Sequence, residues 1–189
     1  MPGGFKYVGT DSQGDVTGKL KTFNIDDGLA ENITVGDLVR ITGTSEIINS
    51  KAMANVALGP ASTACTGVVT AIVPSFAGES LSLTYHKTSS AGQVVVNVDP
   101  NALYRVDASA TMAITDVGQN CHAIVTAATP APTGVMSASI MKADQGNLAT
   151  TATFPLQIVA LEEDSAGVFG NVAIVRLNET TVAPGATGI

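Results

Sequence analysis

The chain has 189 residues, enough for one domain with a sizeable core or for two small lobes. Apolar residues make up 45% of it but aromatics only 4%, with no tryptophan, so the interior must be built from Val, Ile, Leu and Ala, a set suited to flat sheet faces. Charged residues are 13%, the net charge is −7, and the bases are scattered rather than clustered, which excludes a phosphate-binding face and argues against nucleic acid as a partner.

No apolar run approaches the length of a membrane span, so no membrane partner is expected. The start, Met1-Pro2-Gly3-Gly4, lacks the basic and apolar regions of a secretory signal, and the chain is expected to be made and used in the cytosol. A surface this poor in charge must be covered by Thr, Ser, Asn and Gly, which suits a protein packed against many copies of something.

Residues 1–18 read as an extended N-terminal arm, in which Met1 to Val16 carry Gly3, Gly4, Gly9 and Gly14, with Phe5, Tyr7 and Val8 as the sizeable apolar groups. Aromatic rings in a glycine-rich segment need a surface to cover, so Phe5 and Tyr7 are the candidate interface residues, expected to lie on a neighbouring subunit. A single all-β domain is expected over 19–179. A flexible C-terminal tail follows over 180–189, where Pro184, Gly185 and Gly188 leave little to bury.

Within the body, Lys19 to Ile25 alternates as a first strand, with Leu20, Thr22 and Asn24 on one face and Lys21, Phe23 and Ile25 on the other. Val35-Gly36-Asp37 supplies a turn into a strand over Leu38 to Ile41. Thr42 to Pro60 is polar and weakly periodic, with Met53 to Leu58 either a short strand or a helical turn. Cys65 to Val73 is a strong central strand, closed by Pro74 and Gly78. Leu81 to Tyr85 and Gln93 to Val98 alternate with period two, Asp99-Pro100-Asn101 turns the chain, and Ala102 to Val106 resumes an extended run. Thr111 to Gly118 reads as one helical turn or a short strand, Cys121 to Val125 as extended, Thr129 to Gly134 as a proline-bearing loop and Ser137 to Ala143 as a further strand.

The pairing around which the rest is organised is the last one, Leu156 to Leu161 with Val172 to Leu177. These β-branched runs are joined by the polar, glycine-bearing segment Glu162 to Asn171, as two antiparallel strands would be. About ten short strands with turn signals at roughly ten-residue spacing define an all-β fold, a small β-barrel or a jelly-roll-like β-sandwich.

Chemistry-bearing constellations are sparse. Cys65, His86, Cys121 and His122 offer zinc-ligand types, but Cys121 and His122 are adjacent on a strand and point to opposite faces, and there is no C-x-x-C knuckle. Both cysteines read as reduced, buried thiols. His86 and His122 are the only histidines that could serve a nucleophile, and no G-x-S-x-G elbow accompanies them. The acids Asp26-Asp27 and Glu162-Glu163-Asp164 fall in predicted loops. Asp11 to Asp15 starts like a calcium loop but lacks the third-position acid and the distal Glu, so calcium would need carbonyl-rich loops that no motif reveals. No catalytic residue, metal ligand or cofactor is assigned, and the chain is not expected to be an enzyme.

The order of elements carries a resemblance. The glycine-rich start, VGDLVRITG over 35–43, TGVVTAIVP over 66–74, GQVVVNVDPNALYRVDA over 92–108, FPLQIVALEED over 154–164 and NVAIVRLNE over 171–179 together resemble the head decoration, or cement, proteins of tailed bacteriophages, from Ile33 to Glu179. The resemblance implies a virion structural protein, assembled in the host cytoplasm, many copies of which bind the outer surface of the capsid and bridge major capsid protein subunits. It also implies a homo-oligomer, a trimer first and a dimer second. Readings from other classes are a carbohydrate- or receptor-binding β-sandwich module and a hydrolase on a β scaffold.

Overall fold

The computed structural model describes residues 4–10, 19–48, 50–73, 85–86, 91–128 and 139–178. The fold is all-β. Among the described residues the only helical element is one 3₁₀ turn, Ile114–Asp116.

The first half of the chain builds a closed barrel from β2 (Leu20–Ile25), β4 (Leu38–Ile48), β5 (Lys51–Leu58), β6 (Gly67–Val73) and β8 (Gly92–Asn97), in the order β2-β5-β4-β6-β8. The second half builds a six-stranded sheet from β9 (Ala102–Asp107), β10 (Asn120–Ile124), β11 (Lys142–Ala149), β12 (Leu156–Glu163) and β13 (Phe169–Leu177). It is completed by β1 (Lys6–Thr10) from the N-terminal segment, giving the order β1-β9-β13-β12-β10-β11. A two-stranded ribbon pairs β3 (Ile33–Thr34) with β7 (Tyr85–His86).

Period-two patterning drives the body as the composition requires. In β9, Ala102, Tyr104 and Val106 are buried and their neighbours half-buried, the signature of a strand with one face on a core. Phe23, Val39, Val68 and Val94 of the barrel and Tyr104, Leu156, Ile158 and Val175 of the sheet belong to one cluster of buried side chains that runs through both bodies.

The β12–β13 pair forms antiparallel from Leu156↔Leu177 to Glu163↔Phe169, and β13 lies between β12 and β9 inside the sheet. Its turn is shorter than the sequence suggests, because both strands extend into the polar segment. Asp164 closes it: one carboxylate oxygen accepts from the Ala166 and Val168 amides, the other from Asn171 Nδ2 at 2.8 Å. Gly170, at φ +84°, lies so close to the Met112 carbonyl that no Cβ fits there.

Three expectations change. Residues 4–10 are part of the body rather than of an arm, since β1 pairs antiparallel with β9 from Lys6↔Arg105 to Thr10↔Ala102 as an outer strand of the sheet. The polar stretch after Ile41 is a long hairpin. β4 continues to Ile48, which pairs with Lys51, and the strand alternative for Met53 to Leu58 is the observed one. The strand expected over Ser137 to Ala143 starts later, at Lys142. Positions 11–18 of the expected arm, Leu81 to Thr84, the loop Thr129 to Gly134 and the tail 180–189 lie outside the described residues.

Candidate functional site

Three surfaces concentrate polar or unpaired groups. The first surrounds the N-terminal strand. Phe5 is 3% exposed, and its ring meets Tyr104 edge-on at 6.4 Å; Tyr7, half-buried, meets the same ring at 6.2 Å. The glycine-rich sequence around these two aromatics predicts that they cover a neighbouring subunit. The structure gives them Tyr104 of their own chain, which removes the basis of that prediction. The segment is held at the junction of barrel and sheet: the Phe5 amide donates to the Gly36 carbonyl at 2.9 Å, and Gly4, at φ +85°, packs directly on the Ser139 side chain. What β1 leaves outside is Val8, half exposed, and the strand's outer edge.

The second surface is a polar cleft of about 460 Å³ where the ends of β9, β11 and β13 converge. Arg105 and Lys142 bring positive charge, Asp107 and Asp164 negative charge, and Ser109 and Thr111 hydroxyls. Arg105 Nε donates to Glu162 Oε2 at 2.9 Å, and Thr111 Oγ1 donates to Asn171 Oδ1 at 2.7 Å. The Asn171 amide, followed by the Val168 N–H, holds the Asp164 carboxyl below the usual carboxylate range. Hydroxyls, amides and both signs of charge suit a polar, hydrogen-bonding ligand.

The third surface is the seam that closes the barrel. β2 and β5 run parallel and pair at one position, Asn24↔Asn55. Both side chains are buried, and Asn24 Nδ2 donates to Asn55 Oδ1 at 2.9 Å and to Glu46 Oε2 at 2.8 Å. Asn55 Nδ2 in turn reaches Thr44 Oγ1 at 3.1 Å and Asp26 Oδ2 at 3.3 Å. Asp26, Asp27 and Glu46 bring ligand-type oxygens within 4.8 Å of one another. Amide hydrogens from the two asparagines meet two of these three carboxylates, so the group acts here as the polar end of the seam. Alternation alone would place Asn24 opposite Phe23 and Ile25. Instead all three are buried, with the Asn24 side chain enclosed by its hydrogen-bond partners Asn55 and Glu46.

Among the described residues, the two cysteines and His122 singled out in the sequence form no ligand cluster, and the His86 side chain and Asp11 to Asp15 lie outside the described residues. Cys65 is buried and donates to the Thr63 carbonyl; Cys121 is buried on β10, where loss of solvent pushes its thiol up to about 12, so it stays protonated. His122 packs against Phe154 with ring centroids 4.0 Å apart and the ring planes tilted by 56°. Asp37, fully buried beside the Val35-Gly36 turn, accepts from the Thr34 amide at 2.7 Å, and burial pushes its carboxyl above the usual range. The Asn24–Asn55 seam leaves one trace in the sequence, an asparagine flanked by Phe23 and Ile25, where a one-faced strand would tolerate a polar side chain only outward. Comparison of the chain with protein-family models, with characterised proteins and with solved structures finds no match.

Proposed function

We propose that the chain is a virion structural protein that binds the outer surface of a tailed-phage capsid and bridges major capsid protein subunits, as a homo-oligomer. The observation that carries this reading is the outer strand β1: an edge of a six-stranded sheet with Val8 half exposed, in a body of low charge density. Such an edge offers backbone N–H and C=O groups to a neighbouring chain, and a Thr-, Ser- and Asn-rich surface can be covered without stranding charges. Each contact is weak alone; repeated over a lattice, contacts add through effective concentration. In this reading the chain carries no catalytic role and holds no cofactor.

The test is co-sedimentation of the purified protein with capsids that lack it. Saturable binding at a fixed ratio, reduced by Val8→Glu with an unchanged melting temperature, is the expected result. No binding would overturn the reading.

A second reading, a glycan-binding module, is favoured by the polar cleft at Arg105, Ser109 and Thr111. No aromatic ring lines that cleft among the described residues, so stacking on a sugar would be missing. A glycan-array signal lost on Asp107→Ala would establish it.

A further inference from the structure

We propose that the split seam of the barrel is a docking groove for an extended acidic segment of a partner protein, seated as an added strand between β2 and β5. The inference does not depend on the capsid reading. β2 and β5 are parallel and meet only at Asn24↔Asn55, near the C-terminal end of one and the middle of the other. Toward their starts they diverge and leave a cavity of about 670 Å³, bordered by Leu20, Lys21 and Thr22 on one side and Lys51, Ala52 and Met53 on the other.

The backbone register makes this gap a strand site. The Lys19 carbonyl accepts from the Val98 amide at 2.8 Å, which sets the alternation along β2: residues 19, 21, 23 and 25 bond to β8. Leu20 and Thr22 therefore turn their N–H and C=O groups toward β5, where no described residue pairs with them. On β5, the Gly59 amide donates to the Leu38 carbonyl at 2.8 Å, so the same alternation directs residues 53, 55 and 57 to β4 and Ala52 into the gap. Two facing rows of strand groups thus border one groove. A strand of about four residues spans about 13 Å, the distance from the mouth of the groove to the asparagine pair at strand rise.

Charge selects the occupant. Among the described residues that border the groove, Lys21 and Lys51 carry the charge and none is acidic, and the two lysines stand at its mouth in a chain of net charge −7. The closed end is the opposite, with Asp26 and Glu46 against the asparagine amides. A strand with carboxylates at the mouth matches this gradient. Leu20, 60% exposed, adds an apolar contact for an alternating side chain.

The experiment uses the full chain and a fluorescein-labelled synthetic peptide, Glu-Val-Glu-Val-Thr-Val, with a counterpart carrying lysine in place of both glutamates. Anisotropy is expected to show saturable binding of the acidic peptide, weakened about tenfold or more by the double substitution Lys21→Glu and Lys51→Glu, which reverses the preference. Amide NMR shifts are expected to concentrate at Leu20, Thr22 and Ala52. No binding, equal binding of both peptides, or shifts confined to the β1 or β11 edge would overturn the proposal. So would concentration-dependent self-association of the free protein through those amides, which would seat a second copy in the groove.

Discussion

The sheet and the barrel are held shut in different ways. In the sheet, β13 is laddered on both sides, to β12 from Leu156↔Leu177 to Glu163↔Phe169 and to β9 from Val172↔Asp107 to Arg176↔Leu103. In the barrel, β6 and β8 pair from Val68↔Asn97 to Val73↔Gln93, but β4 and β6 pair only at Leu38↔Val68 and Val39↔Gly67, and β2 and β5 share one backbone pair and a side-chain chain of two asparagines. Closure by a full ladder distributes its energy over many groups. Closure by one pair concentrates it on few residues and leaves backbone groups free beside them.

The largest expected effect that tests this contrast lies in the sheet. Ile158, fully buried, is part of the shared core, and Ile158→Ala is expected to lower stability by about 2–5 kcal/mol in denaturant titrations, unfolding barrel and sheet together. Two separate transitions would show that the halves do not share a core. Next is Asn24→Ala, which takes donors from Glu46 and Asn55 in a buried position and is expected to cost about 1–3 kcal/mol. Its effect on hydrogen exchange should be local, faster at β2 and β5 and unchanged at β13; uniform acceleration would contradict closure at one point.

Tyr104→Phe is expected to have a small effect of the opposite sign. The phenol is buried and its hydroxyl has no hydrogen-bond partner among the described residues, so removing it should leave stability unchanged or raise it by up to about 1 kcal/mol, while the rings of Phe5 and Tyr7 keep their contact. A clear loss of stability would mean that the hydroxyl is held by a group outside the described residues.

The smallest effects are in pH dependence, and the two bodies differ in sign. Asp37, before β4, has its carboxyl raised by burial, so the folded state holds that proton more tightly than the unfolded chain. Its contribution to stability is complete below the ordinary carboxylate pKa and is lost as pH rises through the raised value. Asp164, in the β12–β13 turn, is lowered by the Asn171 amide and backbone N–H groups. Its contribution is present above the ordinary value and is lost as pH falls through the lowered one, weakened by solvent screening at this exposed site. Denaturant midpoints across pH should therefore flatten on the upper side in Asp37→Asn and on the lower side in Asp164→Asn. Curves parallel to the parent in both variants would remove these two groups from the pH response.

The elements legible in the sequence were those whose side chains report burial. β8, β9, β12 and β13 alternate or carry β-branched runs between turn residues, and the all-β class follows from them. The distal part of the β4–β5 hairpin was not legible, because Thr42 to Ser45 are exposed and the ladder shifts register between Ile41 and Ser45, which leaves no apolar period there. β1 was hidden differently: its partner β9 lies far along the chain, and Gly4 and Gly9 made the segment look unable to bury anything. The Asn24–Asn55 seam was invisible because a one-faced strand puts asparagine outside, and only barrel closure brings it in. Of the surfaces described, the cleft at Arg105 and the groove at Lys21 are built from residues distant in sequence, without a local motif to announce them.

The measurement that tests the contrast most directly is residue-resolved hydrogen exchange of the free, full-length protein. The amides of Leu20, Thr22 and Ala52 should exchange with little protection, the Val56 amide beside the asparagine pair at an intermediate rate, and the amides of Ile174 and Val175 in β13 most slowly. Seam amides as protected as those of β13 would mean that the barrel is laddered shut, and would remove both the single-point closure and the groove built on it.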